Sequence, residues 1–209
     1  MWLGLLSRVR LYRTCFLTGV FGSGKTLGAV ALAWQLLAED SRLRVVSNIP
    51  VSFATDLLSL DTLTDVVIVL DEGRRYLDAR RWEKRDFNID YLRHLNCYLI
   101  VSAAFDVDKR LRRLQVERIF PLSSLPVWFY RVKSDSDPSP RLGALLGPKA
   151  FFGLYPRRFA MTEREDLFFG LIDAFFERLV YTPPKLTQEQ ERWVELLVTR
   201  TVDRVRSVA

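Results

Sequence analysis

Two cysteines, one histidine, two methionines and six lysines are all that the 209 residues hold of those types. Cys15 and Cys97 each lie in an apolar run, which excludes a disulfide-stapled scaffold and reads as buried thiols in a reducing compartment. With a single histidine beside them, a zinc site has too few ligands. No run of about 18 apolar residues free of charge is present, which argues against a bilayer-spanning helix. The opening MWLGLLSRVR has an apolar stretch too short for a signal peptide, and its basic residues follow that stretch instead of preceding it. The expectation is a soluble chain working in the cytoplasm.

What remains is an ordinary globular mixture, 49% hydrophobic and 27% charged, of a length that fits one compact domain with a short appendage. The net charge of +6 is moderate, but 25 of the 31 basic residues are arginine. Arginine presents a planar fork of donors suited to phosphate and carboxylate. A GC-rich genome would produce the same excess, so composition names no partner.

Apolar runs at 13–20, 43–51, 65–72 and 97–105 read as strands, the second stopped by Asn48-Ile49-Pro50, and 25–40 reads as a helix. Continuous apolar strands separated by helical segments predict an α/β fold with a largely parallel central sheet flanked by helices. Composition shifts after about residue 120, where six of the nine prolines fall between Pro121 and Pro156. Thr162 with Glu165 opens an apolar helix containing Phe168, Phe169, Phe175 and Phe176, either a core helix or an oligomer interface; Thr187 with Gln190 opens a last helix. The division expected is a core over 1–130, a Pro-rich extension with the apolar helix over 131–181, and a C-terminal helix over 182–209.

The strongest chemical signal is GVFGSGKT at 19–26, which satisfies G-x-x-x-x-G-K-[ST] between a predicted strand and a predicted helix. Glycines let successive backbone N–H groups turn inward toward phosphates, and the helix N-terminus adds a favourable potential. Gly19, Phe21, Gly22, Ser23, Gly24, Lys25, Thr26 and Leu27 form the expected nucleotide-contacting set. Lys25 is expected on the β- and γ-phosphates of ATP and Thr26 on Mg²⁺. The strand VVIVLDE at 66–72 then delivers Asp71 to hold Mg²⁺ through water and Glu72 to activate an attacking water. Ser102, near the end of the next strand, is either a sensor of the γ-phosphate or a plain strand hydroxyl.

Ten of the arginines lie between Arg74 and Arg118, just after the carboxylates. A ring ATPase needs an arginine supplied in trans, and Arg112 or Arg113 is the candidate because DKRLRRL follows the fourth strand. Tyr76, Trp82 and Phe87 interleave with the upstream basic run, which suits a nucleic-acid backbone or helix packing.

GVFGSGKT, SNIPV (47–51), VVIVLDEGRRYLDARRW (66–82) and YLRHLNCYLIVSAAFDVDKRLRRL (91–114) together resemble the zonula occludens toxin family. FFGLYPRRF (151–159) resembles that family's closing glycine-leucine-tyrosine segment. The resemblance covers about 12–160 and implies a P-loop NTPase of the FtsK–HerA class, which includes assembly ATPases of filamentous phages. It implies ATP and Mg²⁺ as cofactors, with Lys25 and Thr26 on the nucleotide and Mg²⁺, Asp71 on the metal and Glu72 in catalysis. It implies DNA as partner, a homo-oligomeric ring with a hexamer as one candidate size, and a capsid or assembly-machinery protein as a further partner. Host cytoplasm or the virion is the implied location. Arg93 falls where the family has an arginine before the fourth strand. Ala104 stands where the family usually has glutamine, and the membrane helix that many members carry is missing, which turns the expectation toward soluble packaging or translocation.

The leading reading is therefore an ATP-hydrolysing, DNA-translocating motor for viral genome packaging or virion assembly. A small-molecule P-loop phosphotransferase is the alternative, with Arg110, Arg113 and Arg118 as lid arginines; Glu72 speaks for water as acceptor instead. A nucleotide-switched assembly protein with little hydrolysis is a third, suggested by Ala104.

Overall fold

A computed structural model describes residues 1–56, 59, 62–73, 76–77, 90–103, 111–120, 125–137, 139–156 and 164–179. Its elements run β1 (Trp2–Leu3), α1 (Leu6–Tyr12), β2 (Thr14–Thr18), α2 (Lys25–Glu39), β3 (Arg44–Ser47), β4 (Val66–Leu70), α3 (Tyr91–His94), β5 (Tyr98–Ala103), β6 (Leu114–Arg118), β7 (Val127–Ser134), β8 (Arg141–Leu146), a 3-10 helix (Pro148–Leu154) and α4 (Arg164–Leu179). All eight strands join one sheet in the order β1-β8-β7-β6-β2-β5-β4-β3. The five strands β6, β2, β5, β4 and β3 run parallel to one another, and β7, β8 and β1 extend the β6 edge antiparallel. The chain is a mixed α/β protein with a mostly parallel sheet flanked by helices.

Strand alternation sorts the core into two layers. On one face Cys15 and Leu17 of β2, Val67 and Val69 of β4, and Tyr98 and Ile100 of β5 pack with Leu27, Ala31 and Leu36 of α2. On the other, Phe16, Ile68, Leu99 and Val101 pack with Leu92 of α3 and with Phe168, Ile172 and Phe175 of α4. That α4 triplet is spaced i, i+4, i+7, the stripe of a helix that buries one side. Of the two readings of the apolar helix, this face belongs to the core. Phe176 lies outside the described side chains. The thiols of Cys15 and Cys97 are buried on opposite faces, and burial pushes the Cys15 thiol well above its ordinary value.

The expected strands are present with tighter bounds, at Thr14–Thr18, Arg44–Ser47, Val66–Leu70 and Tyr98–Ala103. The expected boundary between 130 and 131 needs correction: it falls inside β7, whose rungs to β6 run from Tyr130 to Ser134. Residues 131–134 and 141–146 thus continue the sheet. β7 alternates buried Trp128, Tyr130 and Val132 with exposed Arg131 and Lys133, the pattern of an antiparallel strand covered on one side. The expected helix over 182–209, its Thr187 cap and the Thr162 cap lie outside the described residues. Among the described residues no helix is long and apolar enough to cross a membrane.

Candidate functional site

Every parallel strand points its carboxyl end to the same rim, and the glycine-rich loop 19–24 bridges β2 to α2 there. Gly19, Gly22 and Gly24 have φ of 140°, 75° and 83°. Gly24 is the N-cap of α2, with no side-chain cap and no acidic residue in the first turn. The first N–H groups of α2 are thus left without a side-chain acceptor and face the rim, a local potential that favours an anion. Lys25 folds over the loop, donating from Nζ to the carbonyls of Gly19 (2.9 Å) and Val20 (3.0 Å). Burial lowers the Lys25 pKa, and Glu72 and Asp71 pull it back up, so both carboxylates lie within electrostatic reach of the ammonium.

Asp71 is the first residue past β4 and Ser102 sits inside β5 one rung beyond Val101, which pairs with Leu70. Alternation puts both on the α2 face, with Val69 and Ile100. Thr26 Oγ1 donates to Asp71 Oδ1 at 2.8 Å, and Ser102 Oγ bonds the same oxygen. Two hydroxyls from separate elements therefore converge on one carboxylate oxygen, bonds to a charged group worth roughly 1.5–3 kcal/mol each. A threonine hydroxyl with its proton directed at a carboxylate keeps its lone pairs for a hard cation, and Mg²⁺ uses such oxygen ligands with phosphate completing the shell. The donor set fits Mg²⁺ with ATP. Among the described residues no group of three His, Cys, Asp or Glu could hold a metal, but a site of this kind needs only one carboxylate.

Glu72 follows with φ of 50°, in the left-handed region that a non-glycine residue adopts at a cost. The next residue must be glycine: a Cβ on Gly73 would stand 2.1 Å from Val101 Cγ1. The chain reverses at 71–73 pressed against β5, and that reversal aims the second carboxylate.

The loop is braced from the β6 side by residues that the motif does not include. Arg118, at the carboxyl end of β6 and on the α2 face, donates to the Ser23 carbonyl (3.1 Å) and stacks at 3.6 Å from the Trp128 ring centroid. Trp128 lies directly under the loop, so a Cβ on Gly24 would meet its Cζ3 at 2.4 Å. The alternation Leu114, Val116, Arg118 carried a signal, since an inward position at the strand end is filled by arginine.

Of the expected site residues, Lys25, Thr26, Asp71, Glu72 and Ser102 come together. Gly19, Gly22, Ser23 and Gly24 shape the loop. Leu27 contributes only backbone, because its side chain is buried in the core. Phe21 is 72% exposed at the loop tip, with Lys25 Nζ 5.5 Å from its ring. Arg112 and Arg113 are not brought to this site. They precede the amino end of β6, roughly 16 Å along the strand from Arg118, and Arg113 pairs with Asp90 at 3.2 Å. Arg93 lies at the same far end, donating to the Leu11 carbonyl. Ala104 and the basic run at 74–75 and 80–85 lie outside the described residues, as does Arg110.

A separate cleft of about 680 Å³ opens at the β3 edge between Ile49, Pro50 and Val51 on one side and Phe152, Leu154 and Tyr155 on the other. It brings the SNIPV and FFGLY segments together, joined by Ser52 N–H to the Leu154 carbonyl at 2.8 Å. Three strand spacings, about 14 Å, separate β3 from β2. No protein-family model matches this chain, and no curated protein matches it as a relative.

Proposed function

We propose that the chain is a P-loop NTPase that hydrolyses ATP with Mg²⁺. One observation carries the reading: Lys25 and Thr26 at the start of α2 and Asp71 at the end of β4, far apart in sequence, meet at the strand-end rim, with Thr26 Oγ1 on Asp71 Oδ1. In this reading the loop N–H groups and Lys25 bind the phosphates, and the bound Mg²⁺ would supply charge neutralisation at the β- and γ-oxygens. Thr26 and Asp71 hold the cation, Ser102 fixes the Asp71 carboxylate, and Glu72 takes the proton of the attacking water. Ser102 is thereby a partner of Asp71, instead of a sensor standing free.

The wider role proposed is DNA translocation by a ring in viral genome packaging or virion assembly. Its support is the resemblance of 12–160 to the zonula occludens toxin family and the arginine-rich sequence from Arg74 to Arg118. Arg113 as a finger acting in trans would have to exchange Asp90 for a neighbouring subunit's nucleotide. The test is ATP turnover with and without duplex DNA, beside mass measurement with a non-hydrolysable nucleotide. DNA-stimulated turnover and a nucleotide-dependent oligomer are expected. A monomer whose turnover ignores DNA would leave an ATPase without the motor.

A further inference from the structure

β3 leaves its ladder at Ser47, and the next residue continues the ladder by other means. The Asn48 backbone N–H reaches the Val69 carbonyl at 3.3 Å. Its side chain then supplies the following rung: Oδ1 accepts from the Asp71 N–H and Nδ2 donates to the Asp71 carbonyl, both at 2.8 Å. A backbone N–H can only donate and a carbonyl can only accept, so the orientation of the amide is fixed by its partners. The chain itself could not do this. Pro50 lacks an N–H and restricts Ile49, so a strand running on past Asn48 would lose its donor there.

The residue held this way directly precedes Glu72 and its positive φ, and Gly73 is pinned against Val101. Asn48 Nδ2 also reaches the Tyr76 hydroxyl at 3.4 Å. Tyr76 is wholly buried, lies 4.5 Å from the Phe169 ring on α4, and its N–H bonds the Gly73 carbonyl at 3.1 Å. One amide therefore ties Asp71 to Tyr76 on either side of Glu72 and Gly73, and Asp71 and Glu72 are the two carboxylates of the candidate site.

We propose that Asn48 is a positioning residue for Asp71 and Glu72, setting the direction in which the carboxylates leave β4 without touching nucleotide. The proposal rests on the reading of the rim as an ATP and Mg²⁺ site. It separates two properties that Lys25 would affect together: nucleotide affinity without metal belongs to the loop, whereas the gain from Mg²⁺ and the turnover depend on Asn48.

The test uses Asn48→Ala and Asn48→Asp in the whole chain, with three readouts: ATP affinity in EDTA and in Mg²⁺, steady-state kcat and KM, and the melting temperature. For Asn48→Ala the expectation is affinity in EDTA within about twofold of wild type, a reduced gain from Mg²⁺ with KM for ATP in Mg²⁺ raised to match, and kcat at least roughly tenfold lower. Asn48→Asp keeps an acceptor but, ionised at the assay pH, cannot donate to the Asp71 carbonyl, so it should share the loss of Mg²⁺ gain and turnover. Wild-type kcat and Mg²⁺ gain in Asn48→Ala would overturn the proposal. So would losses in either variant that follow the folded fraction alone. If wild type binds ATP with a Mg²⁺ gain but does not hydrolyse it, the hydrolase reading fails, and the loss of that gain in Asn48→Ala still supports the positioning role. Wild type that binds no nucleotide overturns both.

Discussion

Asp71 accepts hydroxyl protons from Thr26 and Ser102 on one oxygen, while its backbone is held by Asn48. The carboxylate is thus fixed at both ends, which is what holding a cation against a phosphate demands. The two hydroxyls differ in what else they do. Thr26 sits in the first turn of α2, next to Lys25, whereas Ser102 acts through the carboxylate it bonds. Ser102→Ala should therefore lower turnover about tenfold or more, by roughly the 1.5–3 kcal/mol of one hydrogen bond to a charged group. Thr26→Ala should cost more and shift the Mg²⁺ requirement upward; a Mg²⁺ titration of turnover checks both. Lys25, Thr26, Asp71 and Glu72 were legible in the sequence because contiguous motifs carry them. Asn48 was not legible as a site residue, and Arg118 was legible only as a lid arginine of the alternative phosphotransferase. Their contacts are to backbone carbonyls and amides, and Arg118 reaches Ser23 from 95 positions away. Nothing in a side chain's type announces which distant backbone atom it will bond.

At the scale of elements, the loop and the start of α2 depend on what lies beneath them. Gly24 combines φ of 83° with Trp128 at 2.4 Å from any added Cβ, whereas Gly22 has φ of 75° and nothing within 4 Å. Gly22→Ala should cost only the backbone strain, about 1–2 kcal/mol. Gly24→Ala must also displace the loop from Trp128 and should lose ATP binding as well as stability; calorimetric titration and thermal melts separate the two effects. On the opposite face α4 contributes Phe168, which is wholly buried beside Tyr76. Phe168→Ala should destabilise by roughly 3–5 kcal/mol, measurable by urea denaturation. The strands β2 to β5 were readable because both their faces are covered, which leaves continuous apolar runs. β7 and β8 were not, because one face is solvated and prolines surround them, so their mixed composition reads as a polar extension.

For the whole molecule, the arginine excess has a partly structural explanation. Among the described residues Arg8 and Arg141 share Asp137, Arg10 meets Glu39, Arg42 meets Asp40 and Arg113 meets Asp90. Asp137 ties α1 to the β7–β8 turn, and Asp40 joins Arg42 to Asn96 across the amino ends of the strands. Hydrogen bonding to Arg141 and Arg42 holds these carboxyls below the ordinary carboxylate range. A depressed native pKa means that the unfolded chain binds more protons as pH falls. The stabilisation is therefore complete above about pH 4, the unfolded value, and is lost progressively below it. The melting temperature should drop below about pH 4, and Asp40→Asn with Asp137→Asn should flatten that slope. The arrangement of the molecule around its rim puts most weight on one residue, Glu72, held in a left-handed turn beside Thr26 and Asp71, the pair proposed to hold Mg²⁺. The most direct measurement is Mg²⁺-dependent phosphate release from ATP by wild type and by Glu72→Gln, with ATP affinity determined for each. The prediction is unchanged affinity with turnover reduced roughly 10²–10⁴-fold, the contribution of a positioned general base; equal turnover in the two proteins would contradict it.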